Sequence, residues 1–200
     1  MSYQLTIEPL GATIEVNEGQ TMLDAALRHG IYLPHACGHG LCGSCKVQVC
    51  GGEVDHGAAN PFALLEFEKD EGKTLACCAT LQDDVTIEAD IEEEPDAQII
   101  PVQDFSAVVS KIIDLTPTIK AVYLRLSKAM HFQAGQYVQI SMPASSGLEG
   151  SRAFSIANSP QEVAQTNEIE LNVRIVPNGA MTSYIHQHLI LKACRGVPTH

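Results

Sequence analysis

Four of the chain's seven cysteines fall in the sixteen residues HACGHGLCGSCKVQVC, from His35 to Cys50. Cys37, Cys42 and Cys45 form a C-x4-C-x2-C run, and a fourth thiol follows 32 positions later in TLACCATL, at Cys77 or Cys78. That spacing is one that holds a [2Fe–2S] cluster. Four thiolates around a cluster leave net negative charge in a partly dry site, so backbone N–H donors must reach the sulfurs. Ala36, Gly38, Gly40, Gly43 and Ser44 keep the backbone bare enough to supply them. Structural zinc also uses Cys-x2-Cys knuckles and would recruit His35 or His39. A zinc ribbon pairs two knuckles, however, whereas here three ligands crowd one loop and the fourth is remote. Spacing and glycine content together favour iron–sulfur over zinc. Cys50, Cys78 and Cys194 read as small hydrophobes, and His35 and His39 as polar loop residues.

A second constellation lies in the C-terminal half. RAFSIAN, residues 152–158, resembles the R-x-[YF]-[ST] motif of the ferredoxin-reductase-type flavin barrel. The resemblance implies that Arg152 clamps a flavin phosphate, Phe154 packs on the isoalloxazine and Ser155 reaches a ring nitrogen. FQAGQYV, with Gly135 and Gln136, resembles the barrel segment before that motif. PNGAMTSYI resembles the glycine-led entry to the barrel's helix, where N–H groups at a helix start hold a pyrophosphate. Gly179, Met181, Thr182 and Ser183 occupy that entry.

Elements must position both sets of residues. YQLTIEP and ATIEV alternate apolar and polar residues around Gly11 and predict a hairpin. TMLDAALRHG predicts a helix with Thr21 as N-cap and Gly30 at its stop. KVQV predicts a strand and GGEVD a turn into the next. PFALLEFEKDEG predicts a short helix with Pro61 in its first turn and Gly72 beyond its end, and VTIEAD a last strand. One helix packed across a mixed sheet makes a small α+β domain over residues 1–91. Residues 92–103 combine an acidic run with two prolines and read as a linker or surface strap. From residue 104 to 191 the segments FSAVVSKIIDL, IKAVYLRLS, QYVQISM, AFSIAN and EIELNVRIV predict antiparallel strands of a barrel or sandwich, followed by the helix MTSYIHQHLIL. Residues 192–200 form an atypical tail with no clear period and no expected strand, so the barrel is expected to be incomplete.

Composition narrows the classes further. The 200 residues are 45% hydrophobic and 18% charged, a folded globular balance. Twelve Lys plus Arg against 24 Asp plus Glu give a net charge of −12, which argues against nucleic acid and for protein partners with basic docking surfaces. No apolar run approaches about 18 residues, and MSYQLTIEPL lacks the basic and apolar regions of a signal peptide. A membrane role is not expected, and the cytoplasm is the expected compartment. An odd number of cysteines fits a disulfide framework poorly.

The loop PHACGHGLCGSC, the GEVD turn, and LACCA with an acidic pair before VTIE resemble the plant-type ferredoxin family and its β-grasp fold. In that family the fourth ligand is the cysteine of an L-x-C-x-A stretch. The match falls on Leu75, Cys77 and Ala79, so the resemblance assigns Cys77 and not Cys78. Leu81 departs from the proline found there in many members. A ferredoxin domain ahead of a flavin barrel resembles, over residues 1 to about 191, the reductase components of multicomponent phenol hydroxylases. The stretches DAALRHGIYLPHACGHG, NPFALLE and DLTPTIK carry that likeness. It implies a [2Fe–2S] cluster, FAD at an incomplete site, and electrons from NADH passed to an oxygenase (hydroxylase) partner. Family members add a C-terminal NAD-binding domain absent from these 200 residues, so the chain is expected to be C-terminally truncated, to retain FAD weakly or not at all and not to oxidise NADH. Rival readings are a stand-alone ferredoxin-type carrier, a zinc-stabilised interaction module, and the reductase of a Rieske-type aromatic dioxygenase.

Overall fold

The computed structural model describes residues 1–91, 98–189 and, for the backbone alone, 193–194. The chain divides into two compact units, Met1–Pro101 and Val102–His200. The division falls inside the segment read as a linker. The acidic run at 92–97 lies outside the described residues.

In the first unit, β1 (Ser2–Glu8) and β2 (Ala12–Asn17) form the antiparallel hairpin that their alternation predicts, with Leu5 opposite Ile14. Leu5, Ile7 and Val16 are fully buried, each contributing about 1.5–3 kcal/mol by leaving water. Helix α1 (Met22–Arg28) starts where the Thr21 hydroxyl accepts the Asp24 N–H at 3.3 Å, and stops at His29 and Gly30. Strands β3 (Lys46–Gly51), β5 (Lys73–Leu75) and β7 (Val85–Glu88) complete a five-stranded mixed sheet in the order β2-β1-β7-β3-β5. β1 and β7 run parallel, so the two ends of the domain's chain sit side by side. β4 (Val54–Asp55) and β6 (Thr80–Leu81) form a separate short ladder.

Two readings of this unit are corrected. The segment from Pro61 is not one continuous helix: α2 covers only Glu66–Asp70. The Asn60 side-chain oxygen accepts the Phe62 N–H, and the Asn60 carbonyl accepts those of Ala63 and Leu64. These are the bonds of one capped helical turn, which ends where Leu65 is extended, at ψ of 154°, before α2 begins. Cys50, expected as a small core hydrophobe, is exposed. It falls where the β3–β7 register slips between Val49 and Gly51, a bulge that drops it from the ladder.

In the second unit, β8 (Ala107–Thr116) and β9 (Ile119–Leu126) form a long hairpin. β10 (Tyr137–Ser141) pairs with β11 (Ser151–Ser155). Helix α3 (Pro160–Thr166), β12 (Glu168–Arg174) and α4 (Ala180–Gln187) follow. The larger sheet runs β12-β9-β8-β13, where β13 (Ala193–Cys194) pairs with Ala107 and Val108. This corrects the expectation that the tail supplies no strand. The two sheets are open, not a closed barrel. An Ile156–Leu171 bridge and the Ala157 N–H to Glu170 carbonyl bond at 2.8 Å tie β11 to β12.

Helix α3 had no sequence-based expectation. It buries only Val163, so no apolar period announces it. Its signal is at the ends: Ser159 accepts the Glu162 N–H at 3.2 Å, Pro160 opens the first turn, and Asn167 closes it with φ of 54°.

Candidate functional site

The cysteine loop lies between α1 and β3, and the fourth thiol sits in the turn after β5. β3 and β5 are hydrogen-bonded neighbours, with Lys46 opposite Leu75. The Cys45 carbonyl accepts the Ala76 N–H at 2.9 Å. Sheet pairing therefore brings Cys77 to a loop 32 residues away in sequence.

Backbone donors point at the sulfurs. The N–H groups of His39 and Leu41 each lie 3.4 Å from Cys37 Sγ, and the Gly40 N–H lies 3.3 Å from Cys77 Sγ. Cys42 Sγ and Ser44 Oγ are hydrogen-bonded at 3.3 Å. Successive N–H groups turned inward form a concavity suited to negative charge. Gly40 shows why bulk is excluded: its φ is 72°, and a Cβ there would meet Cys78 Sγ at 2.6 Å and the Ala58 carbonyl at 3.2 Å. Of the residues expected to bare the backbone, Gly40 donates its N–H to a ligand sulfur, and Ser44 adds a hydroxyl contact that spacing did not announce.

Cys37 and Cys42 share the loop, and the Cys45 carbonyl bond to Ala76 brings Cys45 next to the turn that holds Cys77. The hydrogen bonds from Ser44, joined by Cys37, lower the exposed Cys42 thiol to about 6. The hydrogen bond to Cys77, together with burial, pushes the Cys45 thiol well up. Cys42 is exposed and Cys45 buried, and a metal centre would take each of them as the thiolate. Among the described residues no three His, Cys, Asp or Glu side chains converge on one point. Four thiols, three in one loop and the fourth across a strand pair, match the donors of a binuclear iron–sulfur centre. His35 turns its ring away, Nδ1 lying 2.8 Å from the Leu33 carbonyl. The donor set fits a [2Fe–2S] cluster.

The second candidate site spreads over β11 and the start of α4, both of which adjoin β12. Arg152 is exposed, and its guanidinium donates to the Ser151 carbonyl at 2.7 Å. Ser155 is exposed opposite Tyr137. Phe154 is half-buried and packs against the unit's core, lining an apolar depression with Leu171, Ile185 and Leu189. At the helix entry, a Cβ on Gly179 would lie 2.7 Å from Thr182 Oγ1. That hydroxyl accepts the Val176 N–H at 3.1 Å and donates to the Gly179 carbonyl at 3.2 Å. Met181 is buried in the core, and Ser183 is half-buried with its N–H on the Gly179 carbonyl. The first turn of α4 therefore holds N–H groups without helical acceptors beside a tightly folded glycine entry. An exposed arginine, an exposed hydroxyl and such a helix start are a donor set that fits a phosphate-bearing flavin.

Family models match both halves of the chain. Residues 5–82 match the 2Fe-2S iron-sulfur cluster binding domain, and residues 106–195 the oxidoreductase FAD-binding domain. The Phenol hydroxylase P5 protein of Acinetobacter pittii (strain PHEA-2) is 56% identical over 189 residues, which are 94% of this chain and 52% of that protein. The chain joins a 2Fe-2S iron-sulfur cluster binding domain to an oxidoreductase FAD-binding domain. The reductase component DmpP of phenol 2-monooxygenase from Pseudomonas sp. (strain CF600) is 54% identical with the same coverage. Among solved structures, the Amycolatopsis cytochrome P450 reductase GcoB superposes with a TM-score of 0.85 at 33% identity, covering 99% of this chain and 56% of that one. The ferredoxin reductase of carbazole 1,9a-dioxygenase gives 0.82 at 27% identity, covering all of this chain and 58% of that one. The chain spans about half the length of the curated relatives it matches. Among the described residues no helix is long and apolar enough to cross a membrane.

Proposed function

We propose that the chain carries the electron-transfer centres of the reductase component of a bacterial phenol monooxygenase. The observation that carries this reading is a loop of three thiols met by a fourth across the β3–β5 pairing, with backbone N–H groups turned onto the sulfurs of Cys37 and Cys77. Cys37 and Cys42 would hold one iron, and Cys45 and Cys77 the other. Arg152, Ser155 and the 179–183 helix entry would hold FAD, with Phe154 as its apolar support. When bound, FAD would accept one hydride, two electrons, from NADH and the cluster would take those electrons singly. The protein's own part is to hold these groups, orient them and keep water from the sulfurs.

The partner is the oxygenase component. Leu41, 64% exposed, lies in the same loop as the exposed Cys42, and Phe62, 93% exposed, lies one residue from Ala63, whose carbonyl abuts Gly43. An apolar rim beside an exposed ligand is a short exit for electrons and a seat for a partner. Identity of 54–56% to phenol hydroxylase components, against 27% to the carbazole dioxygenase reductase, favours the monooxygenase. Free thiols at Cys37, Cys42, Cys45 and Cys77 suit a reducing compartment such as the cytoplasm.

Anaerobic reconstitution followed by iron, sulfide and flavin analysis tests the proposal. Iron and acid-labile sulfide in equal amounts are expected, lost in Cys37→Ala, Cys42→Ala, Cys45→Ala and Cys77→Ala alike. Weak flavin binding by the wild type in a flavin titration, weakened further in Arg152→Ala, is the expected sign of the second site. Zinc without sulfide would overturn the iron–sulfur reading.

A further inference from the structure

Next to Cys77 stands a thiol that no assigned role uses. Cys78 Sγ lies 3.7 Å from Cys77 Sγ in a sulfur–sulfur hydrogen bond. The contact is built rather than incidental. The Cys78 N–H is tied to the Leu75 carbonyl at 2.9 Å. Gly57 abuts the Cys78 carbonyl so closely that an added Cβ would lie 2.5 Å from it. Gly40 leaves the space that the Cys78 sulfur fills, and its own N–H reaches Cys77 Sγ at 3.3 Å. One glycine therefore serves two donors aimed at one sulfur.

Resting on the reading that Cys77 is a cluster ligand, we propose that Cys78 is a positioning residue for the iron–sulfur centre. Its S–H donates to the Cys77 sulfur and raises the centre's reduction potential. The direction of donation follows from the inventory of protons: a ligating thiolate has none to give, so the shared hydrogen belongs to Cys78. The direction of the effect follows from charge. Reduction adds an electron to a centre that is already negative, and each donor on a ligand sulfur stabilises the reduced form more than the oxidised one. The pattern around the other ligands agrees: Cys37 receives two backbone donors and Cys42 sits against the Ser44 hydroxyl. With Cys78, Cys77 also receives two.

The test compares the reconstituted full chain with Cys78→Ala and Cys78→Ser by dye-mediated redox titration. At a fixed solution potential, Cys78→Ala is expected to show a reduced-to-oxidised ratio about threefold lower than wild type. Cys78→Ser, which keeps a donor, is expected to recover most of it. In the wild type, exchange into deuterated water is expected to shift the iron–thiolate Raman bands further than in Cys78→Ala. An unchanged potential in Cys78→Ala, an equal fall in both variants, or equal isotope shifts would overturn the proposal while leaving the ligand reading intact. Loss of iron from Cys78→Ala with retention by Cys77→Ala would instead overturn the ligand reading and, with it, this proposal.

Discussion

A single methyl group added at residue 40 would collide with the sulfur of Cys78 and with the Ala58 carbonyl, in a backbone conformation at φ of 72° that side chains resist. Gly40→Ala is therefore expected to destabilise the first unit by about 1–2 kcal/mol from backbone conformation alone, and to lower iron content. Urea unfolding and iron analysis of the purified variant check both effects. Cys50 is the control at this scale. Exposed at a bulge, it should be replaceable by Ser with full iron and sulfide content retained. Loss of iron from Cys50→Ser would place it in the site.

The helix beside the cluster loop owes its start to one carboxylate. Glu68 Oε1 meets Lys46 Nζ at 2.6 Å, and its other oxygen accepts the Leu65 N–H at 2.9 Å. The Lys46 ammonium, followed by the Leu65 N–H, holds this carboxyl below the ordinary glutamate range. A carboxyl depressed in the folded state stabilises above its unfolded pKa, and that stability fades as pH falls through the lowered value. Glu68→Gln should therefore lower the urea midpoint of the first unit near neutral pH. The gap to wild type should close as pH falls below about 4. An equal gap at all pH values would mean the helix start does not depend on that charge. In the second unit, Ser159→Ala removes the cap of α3 and is expected to cost about 1 kcal/mol, read from thermal or urea unfolding.

The charge of the molecule is unevenly placed. Residues 1–91 hold 14 Asp plus Glu against four Lys plus Arg, while residues 98–189 hold six of each. The ferredoxin-type unit, which exposes Leu41 and Phe62, therefore carries most of the net negative charge of the described residues. Electron transfer from the reduced cluster to a positively charged acceptor should slow as ionic strength rises, because screening removes steering. Stopped-flow oxidation at several salt concentrations measures this, and a rate indifferent to salt would remove the docking role of the acidic face. Phe62→Ala should slow transfer to the hydroxylase with the cluster's potential unchanged; the second measurement separates docking from tuning.

Much of the chain was legible from sequence because its signals are local. Alternation placed β1, β2, β8, β9 and β12, Thr21 announced its helix, and the C-x4-C-x2-C spacing with its glycines pointed to iron and sulfide before any fold was known. Where local signals competed or were thin, the reading failed. The turn that Asn60 caps ended at an extended Leu65, α3 offered one buried residue, and a two-residue strand at Ala193–Cys194 had no period to read. The cysteine loop, by contrast, meets its fourth thiol only through pairing of β3 with β5, which brings Cys77 to Cys45. The spacing of thiols determined which chemistry the chain is suited to. That Cys77 meets the loop and that Gly40 makes room beside Cys78 were decided by tertiary structure, because contacts between residues dozens apart depend on strand pairing that no local pattern encodes.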